Sequence, residues 1–160
     1  RATAIAADVS AAGAARRAAG LADNAHDAVI ANPPFFAAGR GTPAADAGRA
    51  DARHMTPGTL DQWVRCAAAS ARAGGTAIFV YPAEGLAELV AAFAARFGAI
   101  VILPLCPRPQ APASRLLVRG IKGSRAPVTL LASRALHGAE GHGFASGFDA
   151  IFRGEAALDW

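Results

Sequence analysis

Asn32-Pro33-Pro34-Phe35 follows directly on the apolar run Ala28-Val29-Ile30-Ala31, and these residue types suit one kind of chemistry, the alkylation of a planar amine. An exocyclic or amide nitrogen is a poor nucleophile because its lone pair is delocalised into the ring or carbonyl beside it. An Asn side-chain oxygen and a neighbouring backbone carbonyl, each accepting one N–H, favour the pyramidal nitrogen that attacks over the flat one that does not. Two successive prolines fix their own φ and bring no competing N–H, so both acceptors stay aimed at an incoming group. Phe35 offers a face on which a planar base can stack. The competing reading is an Asn-Pro turn that merely closes a strand. Position argues against it, since open α/β sheets bind ligands at the carboxyl ends of their strands.

The elements that must hold this tetrapeptide can be read along the chain. Residues 2–9 suggest a strand ending near Asp8, followed by Ser10 as a cap and an alanine-rich helix to about Gly20. Residues 27–31 form a buried strand that delivers Asn32 to its tip. Residues 36–58 are rich in Gly, Ala, Pro and charge and lack any period, which suggests a functional loop lying over the substrate, with Arg40, Arg49 and Arg53 as phosphate contacts, or else a plain disordered insert. Thr59-Leu60-Asp61-Gln62 reads as a capping box opening a helix whose Leu60, Trp63, Val64, Ala67 and Ala71 share one face. Gly74-Gly75 forms a turn before a strand over 76–81, and a second amphipathic helix over 84–97 carries Leu86, Leu89, Val90, Phe93 and Phe97. Strands are expected over 100–105 and 115–121, with a third over 128–131 in the same hairpin system, and a short helix over 148–153. The order describes an α/β sheet, mostly parallel with an antiparallel edge hairpin, in one domain spanning residues 1–160.

The 160 residues carry a net charge of +4 that is unevenly spread. Between Leu89 and Ala139 there is no acid, while Arg96, Arg108, Arg115, Arg119, Lys122, Arg125 and Arg134 contribute seven cations. Such segregation suits a polyanion as well as a merely solvated basic surface, and on the first reading Arg40, Arg53, Arg108, Arg115, Arg119, Lys122 and Arg125 are the candidate nucleic-acid contacts. No apolar run is long enough to span a bilayer and no leader pattern opens the chain, so a cytoplasmic protein without a membrane partner is expected. Cys66 and Cys106 lack ligand spacing and read as buried thiols. His26, His54, His137 and His142 form no convincing metal set. No Gly-x-Ser-x-Gly occurs and Cys66 falls inside a helix, so nucleophilic catalysis has no support. Asp46 and Asp51 make no catalytic dyad, and none is required, because a methylated ammonium is acidic enough to lose its proton to water.

With Val29-Ile30-Ala31-Asn32-Pro33-Pro34-Phe35, Gly74-Gly75 before a strand, Arg53-His54-Met55 and the basic stretch from Arg119 to Pro127, the chain resembles class I S-adenosylmethionine-dependent amino-methyltransferases. It is similar in particular to bacterial small-domain enzymes of the tRNA(Val) adenine-37 N6 type. The resemblance implies a Rossmann-like methyltransferase sheet, S-adenosylmethionine as cofactor and tRNA as substrate. It implies that Asn32 and the Pro33 carbonyl bind the amine, that Phe35 packs on the base, that Ala31 and Pro34 shape the pocket and that Asp8 receives the adenine amine of the cofactor, whose site Asn32 also borders. Such enzymes hold the cofactor's methionine on a glycine-rich loop after their first strand, and neither of their first two strands matches a segment here. The chain is therefore expected to be the C-terminal part of a longer enzyme, or else a degenerate relative, and to bind cofactor weakly or not at all by itself. Methylation of guanine N2, DNA adenine or a protein glutamine amide remains an alternative, as does a non-catalytic nucleic-acid-binding module.

Overall fold

The computed structural model describes residues 2–37, 54–55, 58–141 and 143–160. Arg40, Arg49, Arg53 and His142 lie outside these. The elements are α1 (Gly13–Ala18), β1 (His26–Ala31), β2 (Phe36–Ala37), β3 (His54–Met55), α2 (Thr59–Ser70), β4 (Ala71–Pro82), α3 (Leu86–Ala94), β5 (Phe97–Cys106), β6 (Arg115–Lys122), β7 (Thr129–Leu130), β8 (Arg134–Ala135) and α4 (Ser146–Phe152), with a 3-10 turn over Ala83–Gly85.

The main sheet has the order β1-β4-β6-β5-β7, with β8 beside β7 on the far edge of β5. β1 runs parallel to β4, β6 is antiparallel to both β4 and β5, and β7 and β8 are parallel to β5. Five strands thus share a direction and only β6 is reversed. The β5–β6 hairpin is present, but its returning strand lies inside the sheet, between β4 and β5. The third expected strand does not extend that hairpin. It crosses to the other side of β5, where Leu130 pairs with Ile102.

Alternation along the strands divides the core between the two faces. On one, Phe79, Tyr81, Ile102, Leu116 and Val118 meet Leu60, Val64 and Ala67 of α2 and Leu89 and Phe93 of α3, the stripes expected from helical spacing. On the other, Leu103, Leu105 and Leu117 are covered by Leu131, Leu136, Phe148, Ile151 and Leu158. Each fully buried Phe or Leu contributes about 1.5–3 kcal/mol relative to exposure. β1 is the terminal strand, and its Ile30 is 75% exposed.

Several local expectations need correction. Residues 2–8 are exposed and form no strand. Ser10 does not cap α1; its N–H and hydroxyl both donate to Asp8 Oδ1, at 2.8 and 2.7 Å, a local turn that competes with capping. Helix α1 accordingly starts only at Gly13, with Ala12 at its N-cap. α2 begins with Gly58 at the N-cap and no side-chain cap bond, because Thr59 is already inside the helix. Gly74-Gly75 bends the chain, but within β4 rather than before it. The partner of His26 is Ala71 and that of Ala28 is Thr76, so β4 bulges there and Gly74 takes φ 75°, a conformation glycine adopts freely. The 36–58 stretch is not coil throughout, since Phe36 and Ala37 pair in parallel with His54 and Met55.

Asp61, in the first turn of α2, ties that helix to the segment after α3, accepting from Arg65 at 2.9 Å and Arg96 at 2.7 Å. Burial pushes its carboxyl up, but Arg96 and then Arg65 outweigh burial and hold it below the usual range. A carboxyl whose folded pKa is depressed stabilises fully above its unfolded pKa, about pH 4, and loses that contribution as the pH falls through the folded value. Asp61→Asn is expected to cost up to about 1 kcal/mol at pH 7, the group being more than a third exposed. That cost should shrink steadily below pH 4 in urea titrations of the two proteins.

Candidate acceptor site at the carboxyl rim

Ala31 pairs with Phe79 at the end of β1, so Asn32 emerges at the carboxyl rim beside the last residues of β4. Its side chain is exposed, and no hydrogen bond among the described residues uses it. Pro33, by contrast, is fully buried, which anchors the turn and leaves Asn32 facing outward. Pro34 and Phe35 are half-buried, and Phe35 packs against the helix-covered core.

A cleft of about 310 Å³ opens beside Phe35, lined also by Pro82, Ala83, Glu84, Ala113, Ser114 and Arg115. Arg115 is the first residue of β6, opposite Pro82 of β4 and Leu105 of β5, and its guanidinium carbon lies over the Phe35 ring, 5.1 Å from the centroid. One Arg115 nitrogen donates to the Ser114 carbonyl at 2.9 Å, which also accepts from the Ala83 N–H at 3.2 Å. Sequence reasoning missed the Pro82–Glu84 wall. The signal was there, since parallel neighbours end on the same rim and Pro82 closes the strand next to Asn32. In Tyr81, burial and then the carboxylates of Glu88 and Glu84 push the phenol above its ordinary value, so it stays protonated at neutral pH.

The basic segment is not one surface. Arg108 and Arg115 stand at the same rim as Asn32, at the end of β5 and the start of β6. Lys122 and Arg125 lie at the opposite end, because β6 runs antiparallel and its eight residues carry it about 23 Å away. Arg108 donates to the carbonyls of Gly138, Ala139 and Gly141 at 3.2, 3.1 and 2.9 Å, tying down the loop before α4. Lys122 donates to Asn24 Oδ1 at 2.6 Å and the Ala71 carbonyl at 2.8 Å. Arg119 sits mid-strand with its guanidinium 5.0 Å from the Trp160 ring. Its Nε is buried and has no hydrogen-bond partner among the described residues. Arg125 is exposed.

Asp8 is exposed and lies in a turn closed by Ser10, whose hydroxyl and then backbone N–H hold the carboxyl below its ordinary range. A second cleft, of about 210 Å³, begins at the next residue, bounded by Val9, Ser10, Ala11, Gly13, Arg16 and Gln62.

A solved structure has a similar fold. It is the crystal structure of a predicted O-methyltransferase, protein Atu636 from Agrobacterium tumefaciens, which is 33% identical to this chain with a TM-score of 0.77. The fold is that of a methyltransferase. The match covers 96% of this chain and 64% of that one, so the chain spans less than two thirds of its neighbour's length. No protein-family model and no curated protein matches the chain. In this methyltransferase fold, Asn32, Phe35 and Arg115 share one rim with the end of β4, while Lys122 and Arg125 do not reach it. Among the described residues, no helix is long and apolar enough to cross a membrane.

Proposed function

We propose that this chain carries the acceptor site of an S-adenosylmethionine-dependent N-methyltransferase that modifies the exocyclic amine of a nucleobase, adenine N6 in tRNA. The observation that carries this reading is the placement of Asn-Pro-Pro-Phe. On a methyltransferase fold, an exposed Asn32 stands on a buried Pro33 at the sheet's carboxyl rim, beside a cleft walled by Phe35.

In this reading Asn32 Oδ1 and the Pro33 carbonyl accept the two N–H bonds of the extruded base, pulling its nitrogen out of conjugation. Phe35 supports the ring from one side, and the target base must leave its stack to reach the rim. The ammonium formed gives its proton to water. When bound, the cofactor supplies the electrophilic methyl group on its sulfonium. The residues at Asp8 fit the adenine end of that molecule: Asp8 is an acceptor-only carboxylate suited to an amine, and the adjoining cleft begins at Val9. Arg108, on the same rim, is the cation placed to meet the substrate backbone there, with Arg115 beside it over Phe35; Arg119, Lys122 and Arg125 are placed to meet it only if it extends along β6, and Arg40 and Arg53 belong to the segment that follows Phe35.

A second reading is O-methylation, which the description of the Agrobacterium protein suggests and for which Glu84 in the cleft could take a hydroxyl proton. Nucleoside mass spectrometry of tRNA from a strain lacking the gene distinguishes them. Loss of a monomethylated adenine that returns on complementation is expected. Loss of a ribose- or base-O-methylated nucleoside would favour the second reading, and an unchanged profile would remove tRNA as the substrate.

A further inference from the structure

Among the described residues, Arg115 differs from six arginines that pair with acids. Arg17, Arg65, Arg72, Arg96, Arg134 and Arg153 each face an aspartate. Arg115 takes no carboxylate partner among the described residues, although Glu84 lines the same cleft. Its guanidinium instead lies over Phe35, 5.1 Å from the ring centroid, held by a single bond to the Ser114 carbonyl. A guanidinium is planar and weakly hydrated and stacks on flat π systems, so a purine could replace Phe35 beneath it with no loss of that contact. A flat ring needs about 7 Å between its flanking groups, two van der Waals thicknesses. Arg115 must therefore retreat by about 2 Å, which a long side chain anchored by one hydrogen bond can do by rotating its outer torsions.

We propose that Arg115 is the movable second wall of the acceptor slot, stacking on Phe35 when the slot is empty and on the outer face of the acceptor ring when it is filled. The proposal rests on reading the Phe35 cleft as the acceptor site and narrows its substrate class to planar heteroaromatic amines. An aliphatic amide, such as a glutamine side chain, gives two stacking walls nothing to grip. Arg115 is then a determinant of specificity, acting through the shape of its guanidinium as well as its charge.

The test is titration of the intact protein with a single-stranded oligoribonucleotide carrying 2-aminopurine at one position, whose fluorescence falls on stacking, and with the same strand made abasic there. Wild type is expected to quench the probe and to bind it more tightly than the abasic strand. Arg115→Lys and Arg115→Met should both weaken binding of the 2-aminopurine strand about 5- to 100-fold, and Arg115→Lys should leave the abasic strand nearly unaffected. Lysine matching wild type on both strands while methionine weakens both equally would overturn the proposal, since a point charge on phosphate would then suffice. Tighter binding by either variant would also overturn it, making Arg115 only a plug on Phe35. If wild type neither quenches the probe nor distinguishes the strands, the acceptor reading itself fails. Circular dichroism confirms that each variant is folded, and Arg115→Gln, neutral but planar, replaces the methionine variant should that one unfold.

Discussion

Asn32→Ala is expected to lower kcat by about 10²- to 10³-fold, the usual cost of removing one preorganised group that acts on charge developing in the transition state. Melting should be unchanged within about 0.5 kcal/mol, because the side chain is exposed and anchors nothing in the fold. The two expectations together separate chemistry from architecture. Pro33 is the buried member of the motif, so the turn survives when Asn32 is truncated, and the Pro33 carbonyl remains as the second acceptor. A purely structural Asn-Pro turn predicts the reverse pattern, with a lowered melting temperature and turnover nearly intact. The kinetic split is also diagnostic. The acceptor pair matters most as the nitrogen pyramidalises, so kcat should fall far more than KM rises. Turnover by Asn32→Ala within about threefold of wild type would end the assignment of Asn32, whatever its effect on stability.

The parts of this fold legible in the sequence were those where local pattern and long-range packing agree. Leu60, Val64 and Ala67 recur at helical spacing and do face the sheet, as do Leu89 and Phe93; the ladders of β5 and β6 follow from apolar runs bounded by proline and glycine. What failed was decided by partners the local sequence does not contain. Residues 2–9 have strand composition, but no strand among the described residues pairs with them. Thr129 and Leu130 read as part of a hairpin and instead pair with the far edge of β5, because β4 already occupies the outer edge of β6. The site divides in the same way. Asn32 through Phe35 could be found from residue types alone, and their rim position follows from β1. The seven-cation segment looked continuous along the chain, yet an antiparallel strand sends its two ends to opposite rims, and only the register of β6 reveals which arginine meets Phe35.

Phe93→Ala is expected to be the most damaging single truncation in the helix-covered layer. The ring is fully buried, sits edge-on to Phe79 at 5.1 Å and 87°, and lies 5.3 Å from Phe97 at 36°. Gly120 makes room for this cluster, since a Cβ on it would stand 2.7 Å from Phe97 Cβ and 3.0 Å from the Phe93 ring. Removing Phe93 thus deletes a side chain around which three elements are shaped, with little that can collapse into the space. Such truncations cost about 3–5 kcal/mol, and the lost edge-to-face pair belongs to that figure. Against a typical domain stability of about 5–15 kcal/mol, the variant should show a much lower urea midpoint with an unchanged slope. Phe93→Leu, which keeps most of the volume, is expected to cost less than about 2 kcal/mol. The effect on the acceptor site should be indirect: α3 carries no residue of the cleft, so the fraction of Phe93→Ala that remains folded should keep the KM of wild type. A cost below about 1 kcal/mol would mean that α3 does not seal this face of the sheet. The rim's geometry would then have to be held by the strands alone.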